Sequence, residues 1–392
     1  MKSKRVLSID VMRGLTLFLM LFVNDLYVPG VPAWLTHRPA DFDGMGLADW
    51  VFPGFLFMVG MAVPFAIRNR IKKGDSNIRI FYHILIRTIS LLIIGVLMLN
   101  VERLNAELTR IPKYLWAILT YLAIFMIWND YPESRKKLAL ILKSIGAIVL
   151  VALVAVFRSG TREETTWLVT GWWGILGLIG WGYLVTSLTY LWLKDNLPAT
   201  GLLLLGFVFL NVLAMLGKLE FLSFAKPVFG VVIDGNVPSL VMAGLFFSLL
   251  LRRLKSNPRR FVISATVLGL LTLLAGFVLR NWFIISKIIG TPSWAMICNG
   301  ISILLFVLLY MLIDINDRVK WTKLFNIAGQ NSLTTYLAPN VLYYSIWLSG
   351  LPVFFYKQSG YSLLVVAGSV GWSVLMIIFA NLLSRWGIRL KL

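Results

Sequence analysis

Long apolar runs, each close to the length of a bilayer crossing and each closed by a short polar or basic stretch, recur from one end of the chain to the other. A helix crosses the hydrocarbon in about 20 residues. That template predicts spans over 8–27, 46–68, 79–99, 112–129, 137–157, 169–193, 199–217, 237–254, 260–279, 292–313, 323–347 and 361–384. The prediction is an all-α, polytopic transmembrane helix bundle of about 12 spans, 10 at the lower end, with the segments beginning at 199 and 323 the weakest. The first run, MKSKRVLSIDVMRGLTLFLMLFVN, opens like a signal peptide but stays apolar too long and lacks a small-residue cleavage site, so it reads as a retained first span. The whole of 1–392 is read as one transmembrane domain.

Charge adds orientation. The loops holding Lys2, Lys4, Arg5, then Arg68 to Lys73, Arg135 to Lys137, Lys194, Arg252 to Arg260, Arg318 to Lys323 and Arg385 to Lys391 carry twice as many Lys and Arg as the alternate set. By the positive-inside rule both termini are expected in the cytoplasm, in a multi-pass protein of the cytoplasmic membrane. Composition agrees, with 59% hydrophobic and 14% charged residues. The net charge of +20 is then an orientation signal and an attraction to anionic lipid head groups, not a reason to expect nucleic acid. One cysteine, Cys298, and two histidines cannot form an internal disulfide or a cysteine/histidine zinc site, and no metal is expected.

Polar residues then break the apolar pattern in a few places. HRPADFDGMGLADWVFPGFLFMVG, residues 37–60, sets His37, Asp41, Asp43 and Asp49 at the extracytoplasmic lip of the second span. A plain loop histidine and helix-start carboxylates would account for them, but Asp49 falls inside the predicted span, where an ionisable group is costly without a partner. Asp10 and Arg13 are three apart on one face and are expected as a structural ion pair. His83 and Arg87 share a face of the third span, where Arg87 either snorkels to head groups or offers a fixed cation to a phosphorylated ligand. GQNSLTTY, 329–336, puts Gln330, Asn331, Ser332, Thr334, Thr335 and Tyr336 in a predicted helix, bonding across the bundle or lining a cavity.

These residues carry a resemblance. RVLSIDVMRGLTLFLMLFVN, a loop histidine and then DGMGLADWVFPGFLFMVG resemble the heparan-alpha-glucosaminide N-acetyltransferase family and its bacterial relatives, through Ser8, Asp10, Arg13, Gly14, Asn24, Gly44, Asp49, Phe52, Pro53, Phe55, Phe57 and Gly60. RTISLLIIGVLMLN, GILGLIGWGYL, DGNVPSL and GQNSLTTY are similar to later segments of that family. The likeness lapses between about 101 and 166, and residues 112–157 read as an inserted pair of helices, which leaves every later span in its original direction. Here the histidine stands seven residues before Gly44 rather than the family's five, and Phe42 replaces a tryptophan.

The resemblance implies transfer of an acetyl group from cytoplasmic acetyl-CoA, as co-substrate, to an extracytoplasmic glucosamine-type amine or other glycan. His37 and Asn24 would be catalytic. An imidazole suits a general base for an amine attacking a thioester, an amide NH₂ suits a developing oxyanion, and an acetyl-histidine intermediate is the covalent alternative. Asp41, Asp43, Asp49, Asp234 and Asn331 are expected on the acceptor side, and Arg87 and His83 at the CoA. Membrane lipids are further partners, and homodimerisation is left open. A multi-pass transporter or flippase of a polar or glycan substrate is the competing reading, since intramembrane polar residues suit it equally.

Overall fold

The computed structural model describes residues 6–392; Lys2, Lys4 and Arg5 lie outside the described residues. In chain order the helices are α1 (Leu7–Asp25), α2 (Leu47–Lys72), α3 (Asn77–Val101), the single turn α4 (Ala106–Thr109), α5 (Lys113–Trp128) and α6 (Lys136–Val156). After the paired two-residue strands β1 (Ser159–Gly160) and β2 (Thr165–Thr166) come α7 (Gly174–Leu193), α8 (Leu197–Met215), α9 (Lys226–Ile233), α10 (Asn236–Arg253) and α11 (Pro258–Leu279). The last four are α12 (Pro292–Tyr310), α13 (Lys323–Gln330), α14 (Ser332–Ser349) and α15 (Ser362–Arg385). Helix starts follow local chemistry: the side chains of Ser76, Asn196 and Asn257 accept from N–H groups in the first turns of α3, α8 and α11.

Ten helices among the described residues are long and apolar enough to cross a membrane, so the chain is an integral membrane protein. Two of the twelve expected spans fall short of that measure. The 112–129 run forms α5, of 16 residues. The 323–347 run is not one helix: it breaks into α13 and α14 at Asn331, whose φ of −118° and ψ of 35° leave the helical path. GQNSLTTY therefore straddles a break. Irregular backbone at membrane depth persists where it lines a cavity, and Gly329, Gln330, Asn331 and Ser332 line one.

Burial sorts the helices into layers. The most apolar stretch of α2 is 78% buried, whereas those of α8 and α11 are only 11% and 17% buried, so the latter two present leucines such as Leu202, Leu205, Leu270 and Leu274 outward to lipid. Inside, α1, α2, α7, α10 and α12 pack on one another, and α5 and α6 form a hairpin set against α14.

Lipid tails are as apolar as the side chains, so close helix contact depends on small residues. Gly14 on α1 faces Gly329 on α13: a Cβ on Gly14 would sit 1.7 Å from the Phe325 carbonyl oxygen, and one on Gly329 2.1 Å from that of Asp10. Gly60 and Gly244 bring α2 and α10 together in the same way. Gly14→Ala is expected to cost about 1–3 kcal/mol, the usual penalty of overpacking, read as a lower thermal midpoint of the purified protein in detergent; an unchanged midpoint would contradict this crossing.

Candidate active site

At the end of the bundle where α1 finishes and α2 begins, the loop between them folds back over the α2 N-terminus. The Leu47 and Ala48 N–H groups donate to the carbonyls of Trp34 and Leu35, and Gly46 is the residue before the helix, where a Cβ would lie 2.1 Å from the Thr36 carbonyl oxygen. Asp49, in the first turn, reaches back: its Oδ2 accepts from the N–H groups of Gly46 at 3.0 Å and Arg38 at 3.1 Å. A carboxylate here also meets the positive end of the helix.

That arrangement delivers His37. Its Nδ1 lies 2.7 Å from Asp49 Oδ1; the carboxylate is 1% exposed and the imidazole 45% exposed. An ionised carboxylate only accepts, so a proton sits on Nδ1, and in the neutral ring the lone pair is then on Nε2. Asp49, expected to face an acceptor, instead has both oxygens committed within the protein and orients His37. Trp294 Nε1 donates to the Asp49 backbone carbonyl at 3.2 Å, tying this turn to α12.

A second loop, between α11 and α12, closes against the first. Asp43 accepts from the Ile285 N–H at 2.8 Å and from Arg280 Nε at 2.9 Å, the Gly44 N–H donates to the Ile285 carbonyl, and Ser286 Oγ donates to the Ala40 carbonyl. The Ile285 N–H above all, with Arg280 adding to it against slight desolvation, holds the Asp43 carboxyl below the usual carboxylate range. Asp43 is thus a clamp between loops. The clamp positions Lys287, whose Nζ is 3.1 Å from Nδ1 and 3.3 Å from Nε2 of His37. Burial lowers the Lys287 pKa, with the Asp49 charge opposing. Asp41 is exposed at the loop tip.

Asn24 is exposed on the last turn of α1. Its neighbour Asp25 is fully buried, accepts from the hydroxyls of Tyr343 and Tyr356, and pairs with Lys357 Nζ at 2.8 Å. Asp234 is 4.0 Å from Lys226, in a cavity of about 510 Å³ bordered by Trp172, Trp173, Asn211 and Asn236 and, from the loop that carries Lys287, by Ile288 and Ile289.

The opposite end of α1 is basic and hollow. Cavities of about 320 and 750 Å³ share Arg13, Phe55, Val59, Arg87 and Ser332 as walls; the larger adds Arg68, Lys72, Arg252 and Lys255. Arg87 lies over the Tyr183 ring at 4.7 Å, and among the described residues its Nε finds no hydrogen-bond partner. Arg13 Nη1 is 3.8 Å from Asp10 Oδ1 and donates to the Gly329 carbonyl at 3.3 Å. Asn331 lines the smaller cavity and so lies with Arg87, not with His37; His83 lines neither.

One stripe of α1 connects the two ends. Arg13, Leu17 and Met20 line the smaller cavity, and at helical spacing the next residue on that stripe is Asn24, about 16 Å from Arg13 along the axis.

Lys287, Asp25 and Lys357 escaped the sequence reading. The lysines register there only as loop charges. For Asp25 the signal present is its place beside Asn24 at the end of a span.

Comparison with known proteins gives consistent similarities. The chain is 30% identical to the heparan-alpha-glucosaminide N-acetyltransferase of Mus musculus over 141 residues, 34% of this chain and 21% of that protein. It is 31% identical to the protein of the same name from Homo sapiens over 128 residues, 31% of this chain and 19% of that one. The match thus spans about a fifth of the length of either relative. A family model described as "Domain of unknown function (DUF5009)" matches residues 5–214, more than half of the chain, and this transmembrane protein therefore belongs to that family.

Proposed function

We propose that the protein is a membrane-embedded acetyltransferase that takes an acetyl group from acetyl-CoA at the Arg13/Arg87 end and passes it to the amine of a glucosamine-type sugar at the His37 end. The observation that carries this reading is the pairing of an oriented, half-exposed imidazole on buried Asp49 at one end with a basic cavity at the other, joined by the Arg13–Leu17–Met20–Asn24 stripe. The similarity to two proteins named as N-acetyltransferases supports the same chemistry. The cytoplasmic membrane, with both termini inside, is the setting that the loop charges favour. In this reading the α5–α6 hairpin is an addition relative to the heparan-alpha-glucosaminide N-acetyltransferase core.

The chemistry follows from the groups in place. CoA carries a pyrophosphate and a further phosphate, which need fixed cations to replace their lost water; Arg87 and the basic wall of the larger cavity supply them. The acyl-bearing arm then runs along the apolar stripe of α1 toward Asn24. As the sugar amine attacks the thioester carbonyl, its nitrogen must shed a proton, and His37 Nε2 takes it. The resulting imidazolium is stabilised by Asp49 through Nδ1. The Asn24 amide donates to the oxygen of the tetrahedral intermediate. Collapse breaks the C–S bond, and the thiolate withdraws toward the cavity from which it came.

The direct test is to incubate purified protein with acetyl-CoA and a panel of amino sugars, following free thiol and acetylated sugar together. Thiol release that depends on an amino sugar is expected; none with any amine would overturn the reading. A second measurement addresses the CoA end. Arg87→Ala is expected to weaken apparent acetyl-CoA affinity about ten- to a hundredfold, the loss of one charge-assisted hydrogen bond, with turnover at saturation nearly unchanged. Unaltered affinity would remove Arg87 from the CoA site.

A further inference from the structure

An acceptor amine must come within hydrogen-bond reach of the base that deprotonates it. One amine is already there: Lys287 Nζ lies within 3.3 Å of both ring nitrogens of His37. Nζ is nearly equidistant from the two ring nitrogens, so it sits beside the ring, 3.3 Å from Nε2 and off the line of its lone pair; with Nδ1–H committed to Asp49, Nε2 is the ring nitrogen that can take the amine proton once the lysine swings toward it. The position is built, not accidental. Asp43 grips the Ile285 N–H, Ser286 Oγ donates to the Ala40 carbonyl, and the Ser286 N–H donates to Thr291 Oγ1, so the residues around Lys287 are fixed to the His37 loop.

The surroundings of Lys287 also differ from those of other lysines on this side of the bundle. Lys357 is paired with Asp25 at 2.8 Å and Lys113 with Glu102 at 2.7 Å. Among the described residues no carboxylate lies within ion-pair distance of Lys287. Burial lowers its pKa, which raises the share of free amine, the nucleophilic form.

We propose that Lys287 occupies the place of the acceptor amine and is acetylated by the protein itself when acetyl-CoA arrives in the absence of an acceptor. This rests on the acetyl-transfer reading above. In the step, Lys287 Nζ attacks the thioester carbonyl, His37 Nε2 receives the amine proton, the C–N bond forms, the C–S bond breaks, and the departing CoA thiolate takes the proton to leave as thiol. The neutral amide that results stands where the sugar would bind, so each self-acetylated molecule is closed to further transfer. An amino sugar in the site displaces Lys287 and protects it.

The test uses the full chain purified in detergent, deuterated acetyl-CoA without sugar, and peptide mass spectrometry. Label is expected at Lys287 in preference to Lys357 and Lys113, to fall about a hundredfold in His37→Ala, and to fall when glucosamine is present. Loss of sugar transfer should track the labelled fraction in wild type, while Lys287→Arg should lose no activity on preincubation with acetyl-CoA. Label spread evenly over the lysines, or equal at Lys287 in His37→Ala, would mean chemical acetylation and overturn the proposal. Efficient sugar acetylation with Lys287 unlabelled would overturn it while leaving the acetyltransferase reading standing; no thiol release with any amine would end both.

Discussion

His37→Ala is expected to lower acetyl transfer by about 10²- to 10⁴-fold, the usual contribution of a positioned general base, while acetyl-CoA binding stays near wild type. The separation of the two effects is geometric. His37 stands beyond the last turn of α1, whereas the cations proposed to hold CoA lie around Arg13 and Arg87, in cavities that His37 does not line. The side chain is half-exposed and, among the described residues, bonds only Asp49 and Lys287 through its ring nitrogens, so its removal leaves the core packing intact. Measuring transfer and acetyl-CoA binding on one preparation decides the matter: lost turnover with retained binding fits a catalytic role, and wild-type turnover rules out His37 as the base.

Asp49→Asn is the sharper substitution, because it keeps the shape and changes only the tautomer. The asparagine oxygen can still accept from the Gly46 and Arg38 N–H groups, as Asp49 Oδ2 does. The amide NH₂ then faces His37 Nδ1 and donates to it. Nδ1 becomes the acceptor, the ring proton moves to Nε2, and the lone pair aimed at the amine is gone. Turnover is expected to fall by up to about 10⁴-fold, the scale of such an inversion where an acid orients a catalytic histidine. The thermal midpoint and acetyl-CoA affinity should hold. Asp49→Ala would also remove two hydrogen bonds to backbone at the α2 start and leave those N–H groups unpaired, so it should reduce stability as well. Activity close to wild type in Asp49→Asn would show that His37 does not depend on this carboxylate for its proton.

Much of the fold is legible in hydropathy, because a bilayer imposes one length on every crossing and forbids unpaired backbone within it. Hydropathy does not separate a polar helix from a broken one. GQNSLTTY reads equally well as either, and the break at Asn331 depends on α13 lying against α1 through Gly14 and Gly329, a contact between segments more than 300 positions apart. The candidate site divides along the same line. Asp49 is conspicuous in the sequence because a carboxylate at a span's first turn needs a reason, and the reason is local: Gly46, Arg38 and His37 all lie within the same loop and turn. Lys287 is invisible because nothing in its own segment hints that 250 positions of chain return it to His37. Asp43 shows the same limit: an acid in a motif-rich loop looks available to a ligand, and only the folded partner, the α11–α12 loop, reveals its bonds to Arg280 and the Ile285 N–H.

The central claim is that an acetyl group passes from one side of the membrane to an amine on the other. Purified protein reconstituted into sealed vesicles, with glucosamine trapped inside and isotopically labelled acetyl-CoA added only outside, tests this most directly. The account predicts labelled N-acetylglucosamine in the vesicle lumen, with no acetyl-CoA entering and a loss of about 10²-fold or more in His37→Ala vesicles. Product formed only when donor and sugar share a compartment, or no labelled sugar in vesicles whose protein binds acetyl-CoA, would contradict it.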